Sequence, residues 1–175
     1  MQLIRHRRID NGIAPFALAE RAGGDLCAFW VDGRLERVLA RIAHDRTWQS
    51  GLADRLRRYF LGEPVDFADV PTPDGPAFQR RCWDACRAVR AGTVTTYGRL
   101  AAAAGAEAEG ARAAGRAMRC NPLPVIVPCH RVVAADGRLH GYAGSTDPGG
   151  AMLGIKRALL QLEGASADRG EPVLF

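Results

Sequence analysis

The stretch P-V-I-V-P-C-H-R-V-V sets a thiol, Cys129, beside an imidazole, His130, and a guanidinium, Arg131. A free thiol with a pKa near ~8.5 is mostly protonated at neutral pH, so a cysteine that reacts needs a base or a positive charge beside it. His130 supplies a base, acting directly or through a water, and Arg131 supplies charge that favours a thiolate. Adjacent residues on a strand point to opposite faces, so the pair cooperates only if the chain turns at Cys129. The V-I-V segment reads as a short buried strand. Pro128 restricts Val127 and fixes how the chain leaves that strand, so Cys129 opens a turn instead of extending a ladder. The plain alternative is a structural cysteine, since free cysteine packs as a small hydrophobe. Proline before the thiol and two basic residues after it favour a nucleophile.

The other cysteines are Cys27, Cys82, Cys86 and Cys120, an odd total of five whose spacing is not that of a secreted disulfide framework. Cys82 and Cys86 stand four apart, as half a metal site or as one buried face of a helix. No second Cys/His pair with zinc-type spacing accompanies them, so the buried face is preferred and no metal is expected.

The elements that must position this chemistry can be read on either side of it. P-F-A-L-A-E, the Gly23-Gly24 turn and D-L-C-A-F-W-V-D-G form a β-hairpin. Two helices follow, one with Leu35, Val38, Leu39 and Ile42 on a shared face, the other with Leu52, Leu56, Tyr59 and Phe60, stopped by Gly62. Residues 63–76 carry Pro64, Pro71, Pro73 and Pro76 and read as a linker. Beyond it Phe78, Cys82, Ala85, Cys86 and Val89 line one side of a helix ending at Gly92. Thr96 caps a short alanine-rich helix closed by Gly105, and a second helix runs from about Glu109 to Arg119 before Asn121-Pro122. This pair is a plain αα-hairpin or a helix-turn-helix. The small side chains of the second helix, with Arg112, Arg116 and Arg119 projecting from it, favour the helix-turn-helix, because they allow close approach to a nucleic-acid groove. A turn at Ala135-Asp136-Gly137 follows, and a last helix runs from about Met152 to Glu163, burying Leu159 and Leu162. The chain is therefore read as α+β. A small N-terminal α/β domain (1–62), a Pro-rich linker (63–76) and a mainly helical C-terminal domain with the helix-turn-helix (77–175) make it up.

Charge agrees with that division. The net charge of +5 lies wholly beyond residue 76, and between Phe78 and Arg131 nine arginines face three acidic residues. A basic field of this kind suits nucleic acid. No apolar run approaches the ~20 residues that span a bilayer and the first residues hold no signal-peptide core, so no membrane association and an intracellular, cytoplasmic location are expected.

Six short motifs in order now carry a resemblance: T-Y-G-x-L-A, A-R-A-x-G-x-A-M, N-P-x-P-x-x-V, P-C-H-R-V, G-Y-x-G and L-L-x-x-E-G. From about Phe78 to Gly164 the chain resembles the O6-alkylguanine-DNA alkyltransferases, and before that only at the level of an α/β cap domain. The resemblance implies direct, irreversible transfer of an alkyl group from O6-alkylguanine in duplex DNA to Cys129, in a single turnover and without a cofactor. It implies that His130 takes the thiol proton through a water and that Glu163 orients and charges the imidazole. It makes Tyr97 the residue that helps rotate the target nucleotide out of the stack and donates a hydrogen bond to it. Arg112 is the residue that fills the vacated space, and Thr96, Arg99 and Arg119 are further DNA contacts. Asn121 braces the cysteine turn, and Val132 and Tyr142 line the pocket. The partner implied is double-stranded DNA, bound by a monomer, with cooperativity on DNA left open.

The chain departs from the family pattern in two places. Ala143 stands where some relatives carry serine, and Ser145–Ile155 is longer than expected; the loop from Ser145 to Gly154 is read as a mobile pocket rim that tunes substrate size. A sensor of alkylated DNA that recruits other repair proteins is the alternative of a different class. Such relatives lack the acceptor cysteine, so Cys129 favours the enzyme. A helix-turn-helix transcription factor and a Cys-His hydrolase fit less well, the first for want of a regulatory segment, the second for want of an oxyanion-hole motif.

Overall fold

A computed structural model describes residues 2–106, 110–145, 147 and 149–165. The chain divides into two compact units between Pro73 and Asp74.

The first unit is a four-stranded sheet with a helix on each face. Strands β1 (Leu3–Ile9), β2 (Phe16–Arg21), β3 (Leu26–Trp30) and β4 (Ala43–His44) lie in the order β3-β2-β1-β4. The expected hairpin is β2 and β3, paired antiparallel from Phe16↔Trp30 to Glu20↔Leu26. Strands β1 and β4 were not expected. Strand β1 pairs with β2 yet holds four basic side chains in seven residues, and it buries His6 and Arg7, so apolar alternation does not reveal it. Arg7 offsets part of its burial by donating from Nη1 to the Trp48 carbonyl at 3.1 Å, while its Nε has no hydrogen-bond partner among the described residues.

Alternation along β2 sends Ala17 and Ala19 to one face, where they meet Cys27 and Leu39 of helix α1 (Gly33–Leu39). On the other face Phe16 packs edge-on against Phe60 of helix α2 (Ser50–Phe60), with Trp30 beside both. Leu52, Leu56, Tyr59 and Phe60 are buried as the periodicity predicts, whereas Val38 is exposed because α1 stops at Leu39 and turns that side to solvent. Asp32 starts α1 by accepting from the Leu35 amide at 2.7 Å, an N-cap the periodicity did not indicate. Part of the Pro-rich segment is fastened to this unit: Arg55 on α2 pairs with Asp69 and donates to the Asp66 carbonyl, and Val70 is buried.

The second unit holds helices α3 (Ala77–Arg87), α4 (Tyr97–Ala103), α5 (Ala111–Arg119) and α6 (Ala151–Leu162), with two-residue strands β5 (Thr95–Thr96) and β6 (Val132–Val133) paired in parallel. Helices α4 and α5 pack together as the helix-turn-helix; Glu109, read as the start of α5, lies outside the described residues. Thr96 caps α4 by accepting from the Arg99 amide, as its position predicts. Two of the four alanines of α5 serve the interior: Ala114 and Ala117 are fully buried, and the indole of Trp83 on α3 donates to the Ala117 carbonyl at 2.9 Å. Ala113 alone of its central alanines joins Arg112, Arg116 and Arg119 on the exposed face. Helix α6 begins one residue earlier and ends one earlier than expected, with Leu159 fully buried and Leu162 half-buried. The loop read as a mobile rim includes Thr146 and Pro148, which lie outside the described residues.

Phe16 is 1% exposed and its ring sits 4.8 Å from that of Trp30 and 5.6 Å from that of Phe60. Phe16→Ala is expected to destabilise the first unit by about 3–5 kcal/mol, read from urea unfolding followed by tryptophan fluorescence. The exposed Leu61→Ala should stay within about 0.5 kcal/mol of the parent. Equal small changes in both would show that the ring cluster is not the core of this unit.

Candidate active site

The V-I-V segment is not a strand. Asn121 closes it into a loop, with its Oδ1 accepting from the Leu123 amide at 2.9 Å and its Nδ2 donating to the Val127 carbonyl at 2.8 Å. Two prolines within it, Pro122 and Pro124, withhold amide donors, and Val125 adopts a φ of 77°, a left-handed conformation that a β-branched residue takes only under constraint. The same Asn121 amide group reaches the Cys129 Sγ at 3.2 Å. Cys129, His130 and Arg131 form a single 3-10 turn after Pro128. That is the turn the proline predicts, and it lets successive residues act together.

Cys129 is 5% exposed and forms part of the wall of a cavity of about 220 Å³. Tyr97, Met118, Arg119, His140, Tyr142 and Ser145 share that wall, with Gly141, Ala143 and Gly144 between the last three. Ala143 sits there at a φ of 46°, in a tight turn closed by reciprocal hydrogen bonds between the backbones of Tyr142 and Ser145. Of the residues predicted to line the pocket, Tyr142 does. Val132 does not, being wholly buried in β6, and Asn121, read as the brace of the cysteine turn, stands behind that turn bonded to it and outside the cavity wall.

Behind the thiol, His130 is fully buried and its Nε2 lies 2.9 Å from Glu163 Oε1. A carboxylate only accepts, so Nε2 carries the proton and Nδ1 is the basic nitrogen. Arg131 grips the same carboxylate at two points, Nε to Oε2 at 2.9 Å and Nη2 to Oε1 at 2.7 Å, while its Nη1 donates to the Val89 carbonyl beyond α3. Burial would raise the Glu163 pKa, but the bonds from His130 and Arg131 outweigh it and hold the carboxyl well below the usual range. Burial lowers the His130 pKa more than Glu163 raises it, so the imidazole is neutral at pH 7.

The sequence reading gave Arg131 the task of favouring a thiolate. The structure corrects this: Arg131 is committed to Glu163, and the cation that acts on Cys129 is Lys156. Lys156 is fully buried on α6, donates to the carbonyls of Val132 at 2.6 Å and Gly141 at 3.3 Å, and lies 6.0 Å from the centre of the Tyr97 ring. Burial lowers its pKa to about 8. A lysine in an apolar helix face reads as a surface cation, and no spacing in the sequence singled it out. Burial raises the Cys129 pKa despite Asn121 and Lys156, so the resting group is a thiol. Burial, then the nearness of Cys129 and Cys86, push the Tyr97 phenol up to about 12, which keeps it a hydrogen-bond donor.

The predicted groove contacts separate from this cluster. Arg112 is exposed on α5 and has no hydrogen bond or ion pair among the described residues. Arg99 is exposed on α4, Thr96 is spent on its cap, and Arg119 alone reaches the cavity wall. Among the described residues no cluster of His, Cys, Asp or Glu could hold a metal ion, and Cys82 and Cys86 are both buried in α3.

Glu163→Gln removes the charge that both His130 and Arg131 bind, and breaking a buried pair from one side costs about 3–5 kcal/mol. The pH dependence follows from two depressed pKa values. Protonation of His130 is easier in the unfolded chain, so stability falls as pH drops below about 6.5; the contribution of Glu163 is complete above about 4.5 and is lost as pH falls further. Urea midpoints measured from about pH 3 to pH 7 should lose the lower, carboxylate part of this decline in Glu163→Gln. An unchanged profile would mean that the carboxylate is not held in the folded state as described.

Comparison with known proteins gives the same assignment from another side. The family described as "6-O-methylguanine DNA methyltransferase, DNA binding domain" matches residues 77–165. The methylated-DNA–protein-cysteine methyltransferase of Mycobacterium bovis is 36% identical over 165 residues, covering 94% of this chain and 95% of that one. The Salmonella typhimurium protein of the same name is 46% identical over 96 residues, 54% of this chain and 55% of its own. Among solved structures, Mycobacterium tuberculosis O6-methylguanine methyltransferase superposes with a TM-score of 0.75 at 37% identity, over 97% of this chain and 95% of that one. The Mycobacterium tuberculosis OGT in complex with DNA gives 0.73 at 37% identity, over 94% and 97%. With a buried Cys-His-Glu cluster beneath a small cavity, a helix-turn-helix beside it and these relatives along nearly its whole length, the chain belongs to the 6-O-methylguanine DNA methyltransferase family.

Proposed function

We propose that this protein repairs alkylated DNA by moving the alkyl group from guanine O6 in a duplex to Cys129, which keeps it. The observation that carries the reading is the placement of the Cys129 thiol in the wall of a cavity of about 220 Å³, with the His130–Glu163 pair buried behind it. Such a volume lies below the usual range for drug-sized ligands and suits one base.

In the proposed reaction the thiol yields its proton toward His130 Nδ1, and Sγ attacks the alkyl carbon opposite O6. An S–C bond forms as the C–O6 bond breaks, and the proton returns to the departing guanine, so atoms and charge balance. Glu163 stabilises the imidazolium while it exists. Lys156 supports the developing thiolate, and the protonated Tyr97 phenol donates to the base, offsetting charge as it leaves. Nothing regenerates the thiol from a thioether, so each molecule acts once. O6 of a paired guanine cannot be reached in line by a thiol, so the nucleotide must leave the stack. Arg112, exposed on α5 beside the small Ala113, is suited to enter the space left behind, with Thr96, Arg99 and Arg119 meeting the DNA around it.

Intact-mass spectrometry after mixing with duplex DNA containing O6-methylguanine should show one added methyl group per protein, mapped by digestion to Cys129. Cys129→Ser should abolish the transfer. Repeated turnover, or a methyl on another cysteine, would overturn the reading. Arg112→Ala should slow transfer from the duplex by at least about tenfold while leaving transfer from free O6-benzylguanine within about twofold, since a groove contact never touches the thiol. Equal losses on both substrates would assign Arg112 to the fold.

A further inference from the structure

The cavity at Cys129 has a buried floor and an exposed rim. Cys129, Met118 and Tyr142 are buried, whereas Arg119, His140, Ala143 and Gly144 are exposed, and an exposed residue that lines a cavity stands at its mouth. Two of those four can carry positive charge. Arg119 is the last residue of α5, and its guanidinium has no ion pair among the described residues. His140 comes from a different part of the chain, between β6 and α6, and has no part in the alkyl transfer proposed for this cavity.

His140 is held at the rim from both sides. Leu139 before it packs on the cluster of Val94, Val133, Leu160 and Ala165, and the Gly141 carbonyl after it accepts from Lys156 Nζ at 3.3 Å. The imidazole between these anchors is 62% exposed. Asp136 Oδ1 lies 4.0 Å from its Nε2, too far for a hydrogen bond. That carboxylate is already engaged, accepting from the Arg138 amide at 3.0 Å with Arg138 Nε 3.6 Å away. Among the described residues, then, nothing takes a hydrogen bond from the ring.

A cavity that suits one base leaves the sugar and phosphates of an extruded nucleotide at its mouth. We propose, resting on the reading above in which the target nucleotide leaves the stack, that His140 binds a backbone phosphate flanking that nucleotide, with Arg119 as a second contact from α5. An imidazolium donates to a phosphate oxygen through a charge-assisted bond, and imidazoles as a class change charge between about pH 5 and 8. The contact therefore strengthens toward the acidic end of that range and fades as pH rises. The other charged and titratable groups around the ring are Asp136 and Arg138 on its own turn, Arg119 on α5, Tyr97 and Cys129 in the cavity wall, and Lys156 of α6 behind Gly141. All of them are retained in His140→Gln, so a comparison with that variant isolates the imidazole.

Duplexes carrying O6-methylguanine, with a neutral methylphosphonate in place of the phosphate on its 5′ or its 3′ side, test the contact directly. At one of the two positions the substitution should slow transfer to the parent protein by about tenfold at about pH 6, and should slow His140→Gln by no more than about twofold, the signature of a coupled pair. Transfer from free O6-benzylguanine should stay within about twofold in His140→Gln, since that substrate has no phosphate. Binding gives a second readout on Cys129→Ser, which holds the duplex without reacting. Its log affinity against log salt should be steeper by about 0.9 at about pH 6 than at about pH 8, one phosphate's worth of released counterion. Adding His140→Gln should remove most of that difference, and adding His140→Arg should keep the steeper slope at both pH values. Equal sensitivity of parent and His140→Gln to both methylphosphonates, or salt slopes that do not respond to position 140, would overturn the proposal while leaving alkyl transfer to Cys129 intact. A matching loss on free O6-benzylguanine would also overturn it, by making His140 a contact of the base. No transfer to Cys129 from any duplex would overturn the alkyl-transfer reading and this contact with it.

Discussion

One buried carboxylate organises the second unit. Taking Glu163 out of water is costly unless its oxygens are fully bonded, and His130 Nε2, Arg131 Nε and Arg131 Nη2 provide those bonds. The same Arg131 holds the Val89 carbonyl, which ties the end of α3 to the end of α6. Gly92 completes the approach: it has a φ of +79°, and a Cβ there would stand 3.0 Å from the Glu163 carbonyl oxygen. A pair buried this deeply is weak evidence for net stability. Its effect is geometric, because it fixes the ring plane and tautomer of His130 beside the thiol.

The other end of this arrangement is set by the same helix. Lys156 precedes Glu163 by seven residues, two turns, so both project from one side of α6. Lys156 secures the carbonyls of Val132 and Gly141, and with them β6 and the wall of the cavity. Strand β6 in turn pairs with β5, whose Thr96 starts α4 and sets Tyr97. The helix-turn-helix and the thiol are thereby in register through two residues of parallel sheet.

How much of this was legible in the sequence depended on whether a local signal existed. Thr96, Gly62 and the β2–β3 hairpin announce themselves through caps, stops and alternation, and the structure has them where the pattern puts them. Cys129 was legible because proline, thiol and imidazole are contiguous, and the elements around it followed from motif order. What escaped detection depends on distant partners. Strand β1 hides under arginines that only the Trp48 carbonyl and neighbouring acids explain, V-I-V looks like a strand until Asn121 bends it, and Lys156 looks like a surface cation until the carbonyls that bind it are known. The role read for Arg131 fell to Lys156 for that reason. Charge type can be read along a chain, but the group it serves depends on the fold.

The separation between the thiol turn and its carboxylate has a bearing on biosynthesis. His130 and Arg131 leave the ribosome before Glu163, which follows them by 33 and 32 residues. Throughout that interval Cys129 is an ordinary thiol on an unfinished chain, with no oriented imidazole and no buried cation beside it. Competence arrives only when α6 closes on the rest, so the onset of reactivity waits for a segment translated after the thiol. For a protein whose nucleophile is spent in one reaction, as proposed above, this order of translation keeps the thiol in reserve until the cavity that selects its substrate is complete.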